Sequence, residues 1–252
     1  MEHSENIIGH DKSYNELVFL YKNNSLPNKI LLTGKSGIGK SLLVDKFLNC
    51  IFNDKKLIKS NVHPNILKIK KKSDKKNIDI NQIREMMQFQ NRSSFNNNDR
   101  FIVIEDVENL NINSSNALLK SIEEPNNKLF FLLTNNSGYN ISTTLKSRCI
   151  EFKLSITLDD VKLIVNNYFQ ENLYEKISKD YINHYNSPSF LISLILYLRD
   201  IKKDLSKFKI EEFLQEIIKN KDYITNSFIK DNLKIFIELF FYKNINKSKN
   251  IS

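Results

Sequence analysis

The stretch GKSGIGKS, residues 34–41, constrains this chain more than any other. The sequence of 252 residues contains only five glycines, and Gly34, Gly37 and Gly39 fall within these eight positions. The apolar run KILLT, residues 29–33, precedes them and the helix-like segment GKSLLVDKFLNCIF follows. A Gly-x4-Gly-Lys-Ser pattern between a strand and a helix is the phosphate-binding loop. Its glycines let successive backbone N–H groups turn inward on an anion. The helix amino terminus adds the positive end of its dipole. Gly34, Lys35, Ser36, Gly37, Ile38, Gly39, Lys40 and Ser41 are therefore the candidate cradle for ATP or ADP with Mg²⁺. Lys40 is expected to reach the β- and γ-phosphates and Ser41 to hold the metal.

The rest of the first 154 residues fits that loop. Five short apolar runs read as buried parallel strands: 29–33, 65–69, 100–105, 128–134 and 149–154. Helical segments lie between them. One places Leu42, Leu43, Phe47, Cys50 and Ile51 on a face, another Ile80, Ile83, Met86, Met87 and Phe89. A third, NSSNALLKSIEE, opens on an Asn cap and carries Ala117, Leu118 and Ile122. A helix over Asp11–Lys22 precedes the first strand. Alternating strands and helices predict an α/β fold with a doubly wound five-stranded parallel sheet flanked by helices. After residue 154 only amphipathic helices are expected, in TLDDVKLIVNNYFQ, YEKISKDYINHY, SPSFLISLILYLRD, IEEFLQEIIKN and DNLKIFIELFFY, with a frayed tail from residue 243. Thr157 and Asp160 have the spacing of a capping box with a shortened acid.

A second metal-side element should end a buried strand. FIVIEDVENL does so, with Glu105 and Asp106 after FIVI. Glu105 is the candidate second Mg²⁺ group and Asp106 the candidate catalytic acid, while Asn135 or Asn136, ending the fourth strand, is a candidate polar sensor. A base displaced by about 1 Å can cost about a hundredfold in rate, so this order of acids predicts binding without fast hydrolysis. The two cysteines, Cys50 and Cys149, are far apart and form no zinc-ligand spacing. No apolar run is long enough to span a bilayer, and a cytoplasmic protein without membrane contact is expected. The net charge of +9 suits a phosphate-backbone partner. A composition rich in Lys, Asn and Ile also follows from A/T-rich codons, so charge alone leaves direct DNA contact open. The run LKIKKKSDKKN, residues 67–77, reads as a solvated loop, His10 and His63 as too isolated for metal or catalysis, and His184 as a helix-surface residue.

Residues 116–152, NALLKSIEEPNNKLFFLLTNNSGYNISTTLKSRCIEF, resemble the clamp-loader branch of AAA+ proteins. NALLK, then EEP, then SRC about twenty residues on is highly specific to that branch. Within it the chain is most similar to the delta-prime family of bacterial DNA polymerase III. The four prolines, Pro27, Pro64, Pro125 and Pro188, fall where that family tends to carry proline. The resemblance covers roughly residues 7 to 200. It implies a P-loop AAA+ domain over 1–154, a helical lid over 155–203 and a shortened helical collar segment over 204–252. It also implies a place in a ring with tau/gamma and delta subunits that loads the sliding clamp on primed DNA during replication. Arg148, in SRC, corresponds to an arginine finger projecting into a neighbour's ATP site. The chain would belong to a polymerase holoenzyme without carrying a polymerase site.

Three departures from the family bear on activity. The zinc-binding cysteine cluster seen in many members is missing, the acidic pair is inverted, and the second-sensor segment reads SPSFL, with Ser189 and Phe190 where an arginine is usual. These favour a subunit that assists hydrolysis by others. The alternative is an ATP-hydrolysing motor subunit of the tau/gamma type. Few residues follow position 200, so collar-mediated assembly is an open expectation.

Overall fold

The computed structural model describes residues 7–72, 75–92, 98–124, 128–182 and 187–249, with side chains up to residue 245. Pro125 and His184 lie outside the described residues. The chain divides into two compact units, 2–156 and 157–252.

In the first unit the elements run α1 (Asp11–Lys22), β1 (Lys29–Gly34), α2 (Lys40–Phe52), α3 (Lys55–Lys59), β2 (Ile66–Ile69), α4 (Ile80–Asn91), β3 (Arg100–Ile104), α5 (Ile112–Glu123), β4 (Leu129–Asn136), α6 (Thr143–Ser147) and β5 (Ile150–Lys153). The strands form one sheet in the order β2-β3-β4-β1-β5. Every pairing is parallel. This is the five-stranded parallel sheet flanked by helices that the motifs anticipated. Successive strand residues face opposite sides. Ile30, Leu32, Phe101, Val103, Phe130 and Leu132 pack into one core layer with Phe47 and Leu43 of α2. Leu31, Ile102, Ile104, Phe131 and Leu133 pack into the other with Ile83, Met86, Leu118 and Ile122. Burial on both faces is why the central strands read as unbroken apolar runs. β5 departs from the expected full burial: as an edge strand it leaves Ile150 54% exposed.

Three helix-level expectations need correction. The buried face of α2 is Leu43, Val44, Phe47 and Leu48, while Leu42 and Cys50 are exposed. On α4, Met87 is turned out and Gln90 is buried. The cap of α5 is Asn111, whose side chain accepts from the Ser114 N–H at 2.8 Å, so the helix starts ahead of Asn113. Lys68 is not part of a solvated run: its Nζ donates to Asp45 at 2.7 Å and to the Ile58 carbonyl at 3.0 Å.

The second unit is helical: α7 (Leu158–Phe169), α8 (Pro188–Asp200), α9 (Ile210–Asn220), α10 (Asp222–Thr225) and α11 (Ser227–Lys249). The Thr157–Asp160 capping box forms in both directions at the start of α7. Within YEKISKDYINHY the described residues form two 3-10 turns, Tyr174–Lys176 and Lys179–Tyr181, in place of a helix. Phe190, Tyr197, Phe213 and Phe236 share one aromatic core, with Phe213 and Phe236 centroids 4.6 Å apart. Contrary to the frayed tail expected, α11 continues through residue 249, and Lys243 bonds Asp180 and Glu211.

Candidate nucleotide-binding site

Parallel α/β sheets present ligand sites at the carboxyl ends of their strands, and the glycine loop follows the carboxyl end of β1. Gly37 has φ 75° and Gly39, capping α2, has φ 101°, conformations that favour glycine. Gly34 answers a different need. A Cβ there would sit 2.6 Å from Ile38 Cδ1 and 2.7 Å from the Leu154 carbonyl oxygen. The loop is braced from below by His10, which is buried and bonds the Ile38 carbonyl through Nε2 at 2.8 Å. His10 was not legible as a site residue, because only the fold carries the start of α1 under the loop.

Lys40 opens α2 and is 6% exposed. Its Nζ donates to the carbonyls of Gly34 at 3.1 Å and Lys35 at 3.0 Å, and to Asn136 Oδ1 at 2.6 Å. These three bonds use the whole donor capacity of an ammonium. Burial lowers the Lys40 pKa, and the charges of Asp106 and Glu108 oppose that shift.

Asn136 joins the cation to the acids. Its register partner is Gly34, so the end of β4 lies beside the start of the loop. Its Nδ2 donates to Asp106 Oδ1 at 3.0 Å and to Glu108 Oε1 at 2.5 Å. Its backbone N–H reaches both Glu108 oxygens at 3.3 Å. The amide orientation follows from chemistry, since the ammonium needs an acceptor and the carboxylates need donors. Asp106 has φ 54° and its N–H donates to Thr134 Oγ1 at 2.9 Å. That turn brings Glu108 back toward β4. Burial holds the Glu108 carboxyl above its usual range, against the Asn136 hydrogen bonds.

The structure thus brings together Lys40, Asp106 and Asn136, and adds Glu108, which the sequence reading had not singled out. Glu105 stands outside this network; its backbone N–H pairs with the Ile69 carbonyl. Asn135 is buried beside Thr33 and its Oδ1 has no hydrogen-bond partner. Ser41 lies in the first turn of α2. Arg148 caps α6, away from the cradle. Its Nε donates to Glu123 Oε1 at 2.8 Å and one terminal nitrogen to the Thr144 carbonyl at 3.0 Å. Phe190 is buried in the helical core and Ser189 is exposed. Cys149 is buried, which pushes its thiol up to about 11.

The loop fits a phosphate chain: its glycine conformations, its steric closure at Gly34 and the buried ammonium are what such a ligand requires. Among the described residues no group of three or more His, Cys, Asp or Glu side chains could hold a metal ion. Mg²⁺ needs no such cage, since it is usually bound through one or two protein oxygens plus substrate phosphates. Ser41 and a carboxylate would supply that share. Among the described residues no helix is long and apolar enough to cross a membrane.

The chain is similar to several known proteins. The delta-prime subunit of DNA polymerase III from Pseudomonas aeruginosa is 27% identical over 134 residues, 48% of this chain and 41% of that protein. Its counterpart in Buchnera aphidicola of Acyrthosiphon pisum is 33% identical over 159 residues, 58% and 48% of the two chains. The DNA polymerase III gamma subunit of Buchnera aphidicola of Schizaphis graminum is 30% identical over 175 residues, 61% and 47% of the two. The chain spans about half the length of the curated relatives it matches. A gamma-subunit-related protein of Thermotoga maritima superposes at a TM-score of 0.48 with 19% identity, over 90% of this chain and 76% of that one. A family model described as DNA polymerase III, delta subunit, matches residues 9–157, more than half of the sequence. The chain belongs to the DNA polymerase III delta subunit family.

Proposed function

We propose that the chain is a delta-prime-type subunit of the clamp loader, working with tau/gamma and delta subunits to load the sliding clamp on primed DNA. In this reading it lends Arg148 to the ATP site of a neighbouring subunit. The observation that carries the reading is where Arg148 stands relative to its own cradle. β5 runs parallel to β1 with Ile150 beside Ile30. Arg148 precedes that pair, at the amino-terminal end of the sheet, whereas Gly34 and Lys40 lie past the carboxyl end. Four steps at strand rise, Ile30 to Gly34, separate the two ends, about 13 Å. An arginine side chain does not cover that distance. In this reading its guanidinium serves a site on another protomer, where it stabilises charge developing on a γ-phosphate.

Glu123 and Thr144 already hold two sides of the guanidinium at the surface, so little side-chain freedom is left to lose on docking. The chain's own cradle binds ATP or ADP with Mg²⁺ weakly, with Ser41 and Glu105 on the metal side. Glu105 and Asp106 have exchanged lengths relative to the usual order, and Phe190 stands where a sensing arginine is usual. Its own hydrolysis is therefore slow. The helices over 155–203 act as the lid and 204–252 as part of the collar. Contact with DNA runs through the complex.

Co-expression with tau/gamma, delta and clamp tests this reading. The chain is expected to purify with the loader subunits; migration alone under conditions where the others assemble would contradict it.

A further inference from the structure

Two carboxylates face the buried Lys40 ammonium of the cradle. Asp106 and Glu108 both bond the Asn136 amide, and that amide bonds Lys40. With both acids ionised these three charged groups sum to one negative charge, a poor setting for an arriving phosphate. Lys40 is also fully hydrogen-bonded already, so an anion must draw it away from Asn136. We infer that Glu108 holds down the affinity of this cradle for phosphate anions, through its own charge and through its grip on Asn136. The inference rests on the nucleotide-binding reading above and adds the residue that sets the strength of binding.

The groups facing Glu108 are Asp106 on its own turn, Lys40 from α2 and Asn136 from β4. Burial above all, and then Asp106, favours the neutral carboxyl, and the Asn136 bonds favour the charged one. Titration of Glu108 therefore begins above the ordinary carboxylate value of 4.5. As it takes up a proton, the opposing charge disappears.

Calorimetric titration of the full chain with MgADP tests this. Glu108→Gln keeps shape and removes charge, and is expected to bind MgADP roughly tenfold tighter than wild type. Glu108→Ala, also uncharged, is expected to shift the same way, and it decides the matter if the Gln variant does not fold. Glu108→Asp keeps the charge but shortens the reach to Asn136, and is expected to fall between wild type and Glu108→Gln. The advantage of Glu108→Gln should shrink as pH falls toward 4.5, where wild type becomes neutral too. That ratio cancels the titration of the nucleotide itself. A merely structural Glu108 predicts weaker binding in the Gln and Ala variants and no change in the ratio. Equal or weaker binding in both uncharged variants overturns the inference and leaves the clamp-loader reading standing. Failure to assemble with loader subunits sinks that reading and leaves this one intact. Absence of MgADP binding in every variant, wild type included, overturns both the inference and the nucleotide assignment.

Discussion

The Lys40 ammonium lies 2.6 Å from the Asn136 amide oxygen, so the cation is held within the protein, and in the proposed reading an arriving phosphate displaces that bond. Replacing Lys40 by alanine removes the group that a phosphate would engage and leaves Asn136 Oδ1 without its donor. A charge-assisted hydrogen bond is worth about 1.5–3 kcal/mol. Lys40→Ala is therefore expected to weaken MgADP binding by at least about tenfold, measured by calorimetric titration. Unchanged affinity would place the nucleotide elsewhere.

Gly34→Ala tests the loop's closure. The added methyl meets Ile38 Cδ1 at 2.6 Å and the Leu154 backbone oxygen at 2.7 Å. The Ile38 side chain can shift, but the Leu154 backbone is tied to the Thr33 carbonyl by its own N–H at 2.7 Å. A loss of about 1–3 kcal/mol is expected by urea denaturation, along with loss of nucleotide binding. Wild-type stability would show that the loop is looser than its packing implies.

Hydrolysis by the lone chain should be slow. Asp106 is engaged by Asn136, Glu105 stands outside the network, and Phe190 is buried in the helical core. A turnover well below about one per second is expected for the purified chain. A faster rate would favour a motor subunit.

Much of this architecture could be read from the residues, and the failures have physical causes. The central strands were legible because burial on both faces demands continuous apolar runs. The face of α2 was misjudged because Leu42, Leu43 and Val44 are consecutive apolar residues that admit two neighbouring phases. Asn135 and Asn136 are identical in type and face opposite sides of β4; only the register with Gly34 selects Asn136. Glu108 enters the site through the positive φ of Asp106, which no local preference announces. The motif singled out Arg148 as a candidate, whereas its tie to Glu123 required the fold.

The anchoring of α11 is a long-range feature of the same kind. Lys243 Nζ bonds Asp180 at 2.5 Å and Glu211 at 2.7 Å, and the lysine side chain is 16% exposed. Burial works against its charge, but the two acids outweigh burial and raise its pKa. The stabilisation is therefore complete below the ordinary lysine value of 10.5 and fades as pH rises through the raised value. Lys243→Met is expected to cost about 1–3 kcal/mol at neutral pH, read from the denaturation midpoint. An unchanged midpoint would mean that these ion pairs contribute nothing to the unit's stability.

The most direct measurement compares DNA-stimulated ATP hydrolysis by the reconstituted loader carrying wild-type chain or Arg148→Ala. The variant is expected to assemble normally and to bind MgADP as wild type does, because Arg148 lies at the opposite end of the sheet from its own cradle. Arginine fingers supplied in trans act on the chemical step by large factors, so hydrolysis at the neighbouring site should fall at least about a hundredfold there. The clamp-loading defect should exceed that of Lys40→Ala. Full activity of the Arg148→Ala loader would contradict the account.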